Sequence, residues 1–349
     1  MNVLMPFYTL GRWFDIFKHL NWQNVSFDII YVEGELKQEW ERYFSFHKIR
    51  LPYSFLKSKI IRLYFSRRKI CDQIKDVDVD VIFTFSSLWR QEVSLYLSRE
   101  MRVPYVIWLV GNHRKVREVA EVNLVKRKFA EILESRSLKK ANLVIPISKA
   151  LAREAEEWGV EKEKITSPVH NGVDTRMFKP MKIERAKKFT VAYAGRISPE
   201  KRVLEFLKII NRLCDVHFIV AGKKEMNITF PSNVEYIGWL PFSEMPKFYN
   251  KADLVVLPSI TEGFPMCVLE AYACEKPVLF AKEALPEELK VFGSVADLDE
   301  FPSEIEKLRK TDLKTLGQQA RSYVEKYFTW DKFAESIVEY LKCVVNQAY

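Results

Sequence analysis

No run of eighteen apolar residues occurs anywhere in the 349-residue chain, which excludes a membrane-spanning helix. Its first twenty residues, MNVLMPFYTLGRWFDIFKHL, lack a basic start and a small-residue cleavage site, so no signal peptide is expected. Cysteine is sparse and odd in number, five with no C-x-x-C pair, which fits a reduced cytosolic protein better than a disulfide scaffold. Cys267 and Cys274 fall within an apolar run and read as core thiols. Low-complexity segments and short repeats are absent. Glycine is scarce too, eleven in all, so the places where it does occur carry information.

What is present describes a globular protein, 48% hydrophobic and 29% charged, and long enough for two cores. Short runs rich in β-branched residues alternate with longer amphipathic stretches. Asn2–Pro6, Phe27–Val32, Val79–Phe85, Tyr105–Val110 and Leu143–Ile147 read as strands, with helices at Ser87–Met101 and Lys115–Lys140. A second series follows: strands at Phe189–Ala194, Val216–Ala221, Val234–Ile237, Leu254–Leu257 and Val278–Phe280, helices at Glu200–Leu213, Ser243–Asn250 and Met266–Ala273. Alternating β and α units argue for parallel sheets covered by helices, here two doubly wound α/β domains. The expected division is 1–178, 179–328 and a C-terminal helix over 329–349, with the boundary in the polar stretch Met177–Arg185.

The net charge of +9 is concentrated in one place. Arg42–Lys75 holds five Arg and five Lys against the single acid Asp72, and the remainder of the chain is neutral. Tyr43, Phe44, Phe46, Tyr53, Phe55, Tyr64 and Phe65 are interleaved with those cations. Such a mixture suits an anionic membrane surface, the basic face of a core helix, or the dock of a soluble anionic acceptor. No nucleic-acid recognition motif accompanies it, so nucleic acid is not expected as a partner.

Gly195, Gly222 and Gly238 each sit just after an expected strand, and Gly263 follows Leu254–Leu257 by a few residues. Ligands in open α/β sheets bind beyond the carboxyl ends of strands, where glycine permits close backbone approach. The stretch Thr261-Glu-Gly-Phe-Pro-Met-Cys-Val-Leu-Glu-Ala-Tyr-Ala-Cys274 then poses a question, because Glu270 stands amid an apolar helix. A buried carboxylate needs a partner. A salt bridge would supply one; so would a ligand. Pro265 suits a first helical position, which leaves the N–H groups around Phe264–Cys267 ready for an anion. Glu262 in the loop and Glu270 about 6–7 Å down the helix would grip two parts of one elongated ligand. Arg196 and Lys201, in Ala194-Gly-Arg-Ile-Ser-Pro-Glu-Lys201, supply cations suited to a diphosphate.

Together these residues resemble glycosyltransferase family 4, the group 1 glycosyltransferases of the GT-B fold. The E-x₇-E pair Glu262/Glu270, Gly195-Arg196…Lys201, His170-Asn-Gly-Val-Asp174, Ile237-Gly-Trp-Leu240, Tyr249…Ala252-Asp253 and Phe328-Thr-Trp330 match its motifs in order. The resemblance implies retaining transfer of a hexose from a nucleotide-diphosphate sugar to an acceptor hydroxyl, on a glycan or a lipid-linked acceptor. The donor would lie in a cleft between two Rossmann-like domains, held mainly by the C-terminal one, with the acceptor on the N-terminal one. It assigns Arg196 and Lys201 to the diphosphate, Glu270 to the ribose, Glu262 to the sugar hydroxyls, and the backbone near Trp239 and Leu240 to the base. Gly195, Gly263, Phe264 and Pro265 complete the donor contacts. Catalysis would rest on Arg196, Lys201, Glu262 and His113, with no cofactor and no metal.

The chain departs from the family at several points. Only Gly11 stands where a glycine-rich loop usually follows the first strand. His113 is displaced by a few residues from the histidine that follows the fourth strand. Glu275 replaces a usual glycine, and Lys282–Glu287 lacks glycines, both of which bear on sugar selection. Asp76-Val-Asp78-Val-Asp80 has the D-x-D pattern of metal-dependent transferases, but it precedes a strand rather than following one, so it is not expected to bind metal. A cytoplasmic enzyme is expected, peripheral on the inner face of the membrane if Arg42–Lys75 docks there. The alternatives are a degenerate GT-B protein that binds membrane or polyanion without catalysis, and a GT-B nucleotide-sugar epimerase.

Overall fold

The computed structural model describes residues 1–7, 17, 22, 24–33, 35–50, 59–111, 113–119, 122–184, 186–284 and 286–348, without the side chains of 59–65, 89, 113 and 348. Gly11 therefore lies outside the described residues, as does the side chain of His113.

The chain folds into two compact α/β units. The first comprises Met1–His113, Asn123–Val169 and Phe333–Tyr349; the second comprises Arg114–Val122 and His170–Lys332. The first contains a parallel sheet of β1 (Asn2–Pro6), β2 (Ser26–Tyr31), β3 (Ser45–Lys48), β4 (Val81–Phe85), β5 (Tyr105–Leu109) and β6 (Leu143–Pro146). Its order is β3-β2-β1-β4-β5-β6. Strands β4 and β5 are buried along their whole length, which is why they read as continuous apolar runs rather than alternating ones. Its helices are α1 (Lys59–Gln73), α2 (Leu88–Met101), α4 (Leu124–Lys140) and α5 (Lys149–Glu157); α3 (His113–Val119), between α2 and α4 in the chain, belongs from Arg114 to the second unit. The single helix expected over Lys115–Lys140 is two, because the Asn123 side chain caps a fresh start by accepting from the Val125 N–H.

The second unit repeats the plan with β7 (Thr190–Ala194), β8 (His217–Ala221), β9 (Val234–Gly238), β10 (Leu254–Leu257), β11 (Val278–Ala281) and β12 (Gly293–Ala296). Its order, β12-β11-β10-β7-β8-β9, is the same doubly wound one. The helices are α6 (Val203–Ile210), α7 (Met245–Lys251), α8 (Met266–Ala273), α9 (Phe301–Leu308) and α10 (Leu313–Tyr327). His170–Phe178 belongs here because its residues are tied to the unit's own elements. His170 stacks on Phe264 with ring centres 4.5 Å apart, and Arg321 of α10 donates to the Phe178 and Thr175 carbonyls. The last helix, α11 (Trp330–Ala348), begins in this unit; from Phe333 onward it belongs to the first, where Phe333 packs 4.8 Å from Trp108.

Two departures from family pattern find structural explanations. Helix α8 ends in a Schellman motif: the Lys276 N–H donates to Ala271 O and the Glu275 N–H to Tyr272 O. Glu275 occupies its left-handed position, φ 60°, which is where a glycine is favoured. The substitution thus strains a helix end. Glu275→Gly is expected to raise stability by about 1 kcal/mol, a rise in melting temperature of about 2–4 °C, which calorimetry would read. An unchanged or lowered midpoint would mean the carboxylate has a compensating contact. The D-x-D stretch is also accounted for. Asp80 accepts from the Asn2 backbone N–H at 2.7 Å and Asp78 from the Asn2 side chain at 3.0 Å, so both tie down the amino end of β1.

Candidate active site

In a doubly wound sheet the ligand crevice lies at the carboxyl ends of the two strands where the order reverses. In the second unit those strands are β7 and β10. The loops leaving them are the two motif segments, Gly195–Lys201 after β7 and Ser259–Pro265 after β10. The fold brings them into contact. The Ile260 N–H donates to Glu200 O at 2.9 Å, and the Lys201 ammonium meets Glu262 Oε1 at 2.5 Å. Lys201 and Glu262, 61 residues apart in sequence, form an ion pair that spans the switch point.

Lys201 does not ride on the first turn of a long helix, as the sequence suggested. It ends a separate 3₁₀ turn, Pro199–Lys201, after which Arg202 adopts a left-handed conformation (φ 49°) and α6 starts at Val203. The kink turns Lys201 toward Glu262 and sends the Arg202 guanidinium to Glu283 at 2.8 Å. Sequence reading missed Arg202 and its partner. No spacing signal links them, because Glu283 lies beyond β11. This pair, with Lys282–Asp297 at 2.5 Å, anchors the glycine-poor Lys282–Ala284 turn.

Arg196 is half exposed and held by two carboxylates, Glu200 at 2.7 Å and Glu225 at 2.8 Å. Burial would raise the Glu200 carboxyl, but hydrogen bonding and the nearby Arg196 and Lys201 cations bring it below its ordinary value. The Arg196 backbone is fixed as well, since its carbonyl accepts from the buried Tyr193 hydroxyl at 2.7 Å. Across from it, the loop ahead of α8 is pinned by Phe264, which stacks on His170 and lies tilted against Phe328, and by Asn171 Nδ2, which donates to the Phe264 carbonyl. Pro265 caps α8, leaving the first-turn N–H groups of Met266 and Cys267 without intrahelical acceptors.

Glu270 is 6% exposed, and one partner is Tyr249: the fully buried hydroxyl donates to Glu270 Oε2 at 2.7 Å. Neither answer offered by the sequence names this group. Burial and the adjacent Glu270 charge push the Tyr249 hydroxyl well above its ordinary pKa, so it remains a donor at any physiological pH. Cys267, between the two acids, is driven up by burial and by both Glu262 and Glu270. It is held as a thiol despite its place at a helix N-terminus. Trp239 and Leu240 follow β9, beyond β8 from the switch point, with Trp239 71% exposed.

The first unit has its own switch point, between β1 and β4. Arg90, another residue the sequence reading passed over, lies there. Its guanidinium is 4.9 Å from the Phe7 ring and 5.5 Å from Phe85, at the carboxyl ends of those strands. Burial lowers its pKa to about 10. Helix α3 begins at His113, after β5.

Comparison with known proteins gives these motifs their family. Residues 14–177 match the sequence model described as Glycosyltransferase Family 4, and residues 188–310 match that of the Glycosyl transferases group 1. An uncharacterised glycosyltransferase of Methanocaldococcus jannaschii is 26% identical over 74% of this chain and 74% of its own length. The alpha-galactosylglucosyldiacylglycerol synthase of Streptococcus pneumoniae is 28% identical over 35% of this chain and 38% of its own length. Anabaena HepE, solved with UDP and glucose, superposes with a TM-score of 0.75 at 19% identity, over 98% of this chain and 99% of that one. With two parallel six-stranded sheets and this likeness the architecture is GT-B. The chain belongs to glycosyltransferase family 4, the group 1 glycosyltransferases.

Proposed function

We propose that the protein transfers a hexose, with retention of configuration, from a nucleoside-diphosphate sugar to a hydroxyl of a lipid-linked or glycan acceptor. The observation that carries this reading is the Lys201–Glu262 pair across the β7/β10 switch point, with Arg196 on the same loop. Each cation is held by carboxylates of its own neighbourhood. An incoming diphosphate would take over Lys201 and Arg196, and Glu262 would turn to the sugar hydroxyls. As the glycosidic bond breaks, negative charge grows on the leaving diphosphate. Fixed cations and the α8 N–H groups stabilise that charge more than they stabilise the bound donor. Glu270, oriented by Tyr249, would receive the ribose hydroxyls, and the backbone at Trp239 and Leu240 would meet the base.

Retention is what the resemblance to glycosyltransferase family 4 implies, and the motif residues are compatible with it. Cys267 is held protonated, and Glu262 and Glu270 each already accept from a fixed donor. None is a ready covalent nucleophile, so the same-face attack assisted by the departing phosphate that the resemblance implies would proceed without a covalent intermediate. Arg196 and Lys201 supply the positive charge that a metal would otherwise bring, so transfer should survive EDTA. UDP is the first nucleotide to try, because HepE was solved with it, and the name of the pneumococcal relative points to a lipid acceptor. The enzyme would work in the cytoplasm, at the inner face of a membrane.

The test is incubation with UDP-, GDP- and ADP-hexoses and glycolipid or glycan acceptors, reading free nucleoside diphosphate and the anomeric coupling of the product by NMR. Nucleoside diphosphate release with an α-linked product from an α-linked donor is expected. Interconversion of the nucleotide sugar without release would make the protein an epimerase, and binding without turnover would make it a degenerate one. Within the same reading, Glu270→Gln should weaken nucleoside diphosphate binding about tenfold, since charge-assisted bonds become neutral ones. The Tyr249 hydroxyl can still donate to the glutamine oxygen, so the fold should be kept. Unchanged affinity by calorimetry would leave Glu270 a structural residue that pairs within the protein.

A further inference from the structure

Helix α4 carries an outward face that the first unit's core does not use. Among the described residues ten large hydrophobic side chains are exposed, and four of them lie within nine residues of this one helix. Leu124, Val125, Phe129 and Ile132 are 54%, 76%, 60% and 65% exposed. Val125, Phe129 and Ile132 are spaced i, i+4, i+7 and so form one stripe. Ala130, Glu134, Ser137 and Leu138 are the buried side that holds the helix to its unit.

The charges around the stripe have one sign. Lys126, Lys128, Arg136, Lys139 and Lys140 are exposed on α4, and no acid of the helix is: Glu131 is half-buried and Glu134 buried. Arg136 pairs with Glu92 yet remains largely exposed. An apolar stripe among cations complements a surface that offers acyl chains beneath anionic headgroups. A nucleic acid would satisfy the cations but leave the apolar side chains in water. A second copy of the chain would bury the stripe but set five cations against five across a two-fold axis.

We propose that α4 docks the protein on an anionic lipid surface, with Val125, Phe129 and Ile132 inserted at the headgroup level and the flanking lysines on the lipid charges. The stretch Arg42–Lys75 is less suited to this. Where side chains of α1 are described, Ser66 and Ile70 are buried, and the Arg67 guanidinium lies 5.3 Å from the Tyr96 ring. Phe44 is buried too. The proposal deepens the lipid-linked acceptor reading by naming the surface that reaches the bilayer, but it stands on exposure and charge alone.

Co-sedimentation of the full chain with phosphatidylglycerol–phosphatidylcholine vesicles, against phosphatidylcholine alone, tests it. Binding to the mixed vesicles only, released by high salt, is expected. Phe129→Ser with Ile132→Ser should weaken vesicle binding at least about tenfold. Lys126→Glu with Lys128→Glu should cost about fivefold or more per position. All four residues are exposed, so both variants should keep the wild-type circular dichroism and melting temperature. Arg67→Glu, Arg68→Glu and Lys69→Glu together should bind vesicles as wild type does. A wild type that stays in solution overturns the proposal. So do α4 variants that bind normally, loss of binding in the α1 variant, or a dimer by light scattering that Phe129→Ser with Ile132→Ser dissociates. Donor turnover is measured separately: vesicle binding without any nucleoside diphosphate release would sink the transferase reading and leave this one standing.

Discussion

Lys201→Ala should lower turnover by about 10²–10³, the usual cost of removing one charge-stabilising group from a reacting centre. Its effect on folding should be far smaller. Lys201 and Glu262 are 17% and 12% exposed, so Glu262 would lose its cation while keeping some access to water, at a cost of about 1–2 kcal/mol. Arg196→Ala should show the same imbalance more sharply. Its bridges to Glu200 and Glu225 sit at a half-exposed guanidinium, where ion pairs contribute little to stability. The loss should appear in kcat rather than KM, because the charge being stabilised develops only as the donor bond breaks. The double variant should lose less than the product of the two, since both groups act on one leaving diphosphate. Steady-state rates of nucleoside diphosphate release, set beside urea denaturation of the same variants, decide the matter. Near-normal turnover in both single variants would remove the diphosphate clamp.

The inner strands were legible because they are buried on both faces, and such strands announce themselves as apolar runs bounded by turns. The strands missed, β3 and β12, are sheet edges. Ser45–Lys48 and Gly293–Ala296 are short and partly exposed, and they carry polar residues or glycine, as edges must. Their sequences resemble loops because half of each strand meets water. Part of the basic stretch turns inward for a related reason. Among its described aromatics Tyr43 is exposed, but Phe44 belongs to the core and Phe46 packs beside Trp40, which only the folding of β3 against β2 brings about. Among the described residues the more exposed apolar face lies on α4, whose own positive charge is offset by acids elsewhere in the chain.

At the site, sequence spacing located the loops but not their mutual contacts. Glu262 and Glu270 lie on one motif, the first in the loop and the second within α8; that much is local. The groups that complete the chemistry arrive from elsewhere in the chain. Tyr249 reaches Glu270 from α7, Lys201 reaches Glu262 from the β7 loop, and Glu283 reaches Arg202 from beyond β11. A single sequence carries no record of such pairings. The question raised by a carboxylate in an apolar helix was therefore sound, while its answer required the fold.

Gly222→Ala should be among the most damaging single-methyl additions in the second unit, and the reason is geometric. Gly222 follows β8 with φ 149°, within the range that side chains rarely adopt. A β-carbon there would stand 1.8 Å from the carbonyl oxygen of Gly195, a backbone atom that cannot swing aside as a side chain would. The Gly195 loop is itself held tightly: its N–H donates to Ala221 O at 3.0 Å, and the Gly222 N–H donates to Gly238 O at 2.8 Å. Relieving the clash must pull β7 away from β8 at their carboxyl ends, which costs on the order of 3 kcal/mol. The displaced residue next in line is Arg196, so the loss of stability and the loss of the diphosphate site should arrive together. Urea denaturation would show a lowered midpoint, and calorimetry would show nucleoside diphosphate affinity falling in the fraction that remains folded. Here the expected pattern is the reverse of Lys201→Ala, where turnover falls and the fold largely survives. A Gly222→Ala protein with wild-type stability and binding would mean that the close approach of these two loops is not what holds Arg196 at the switch point.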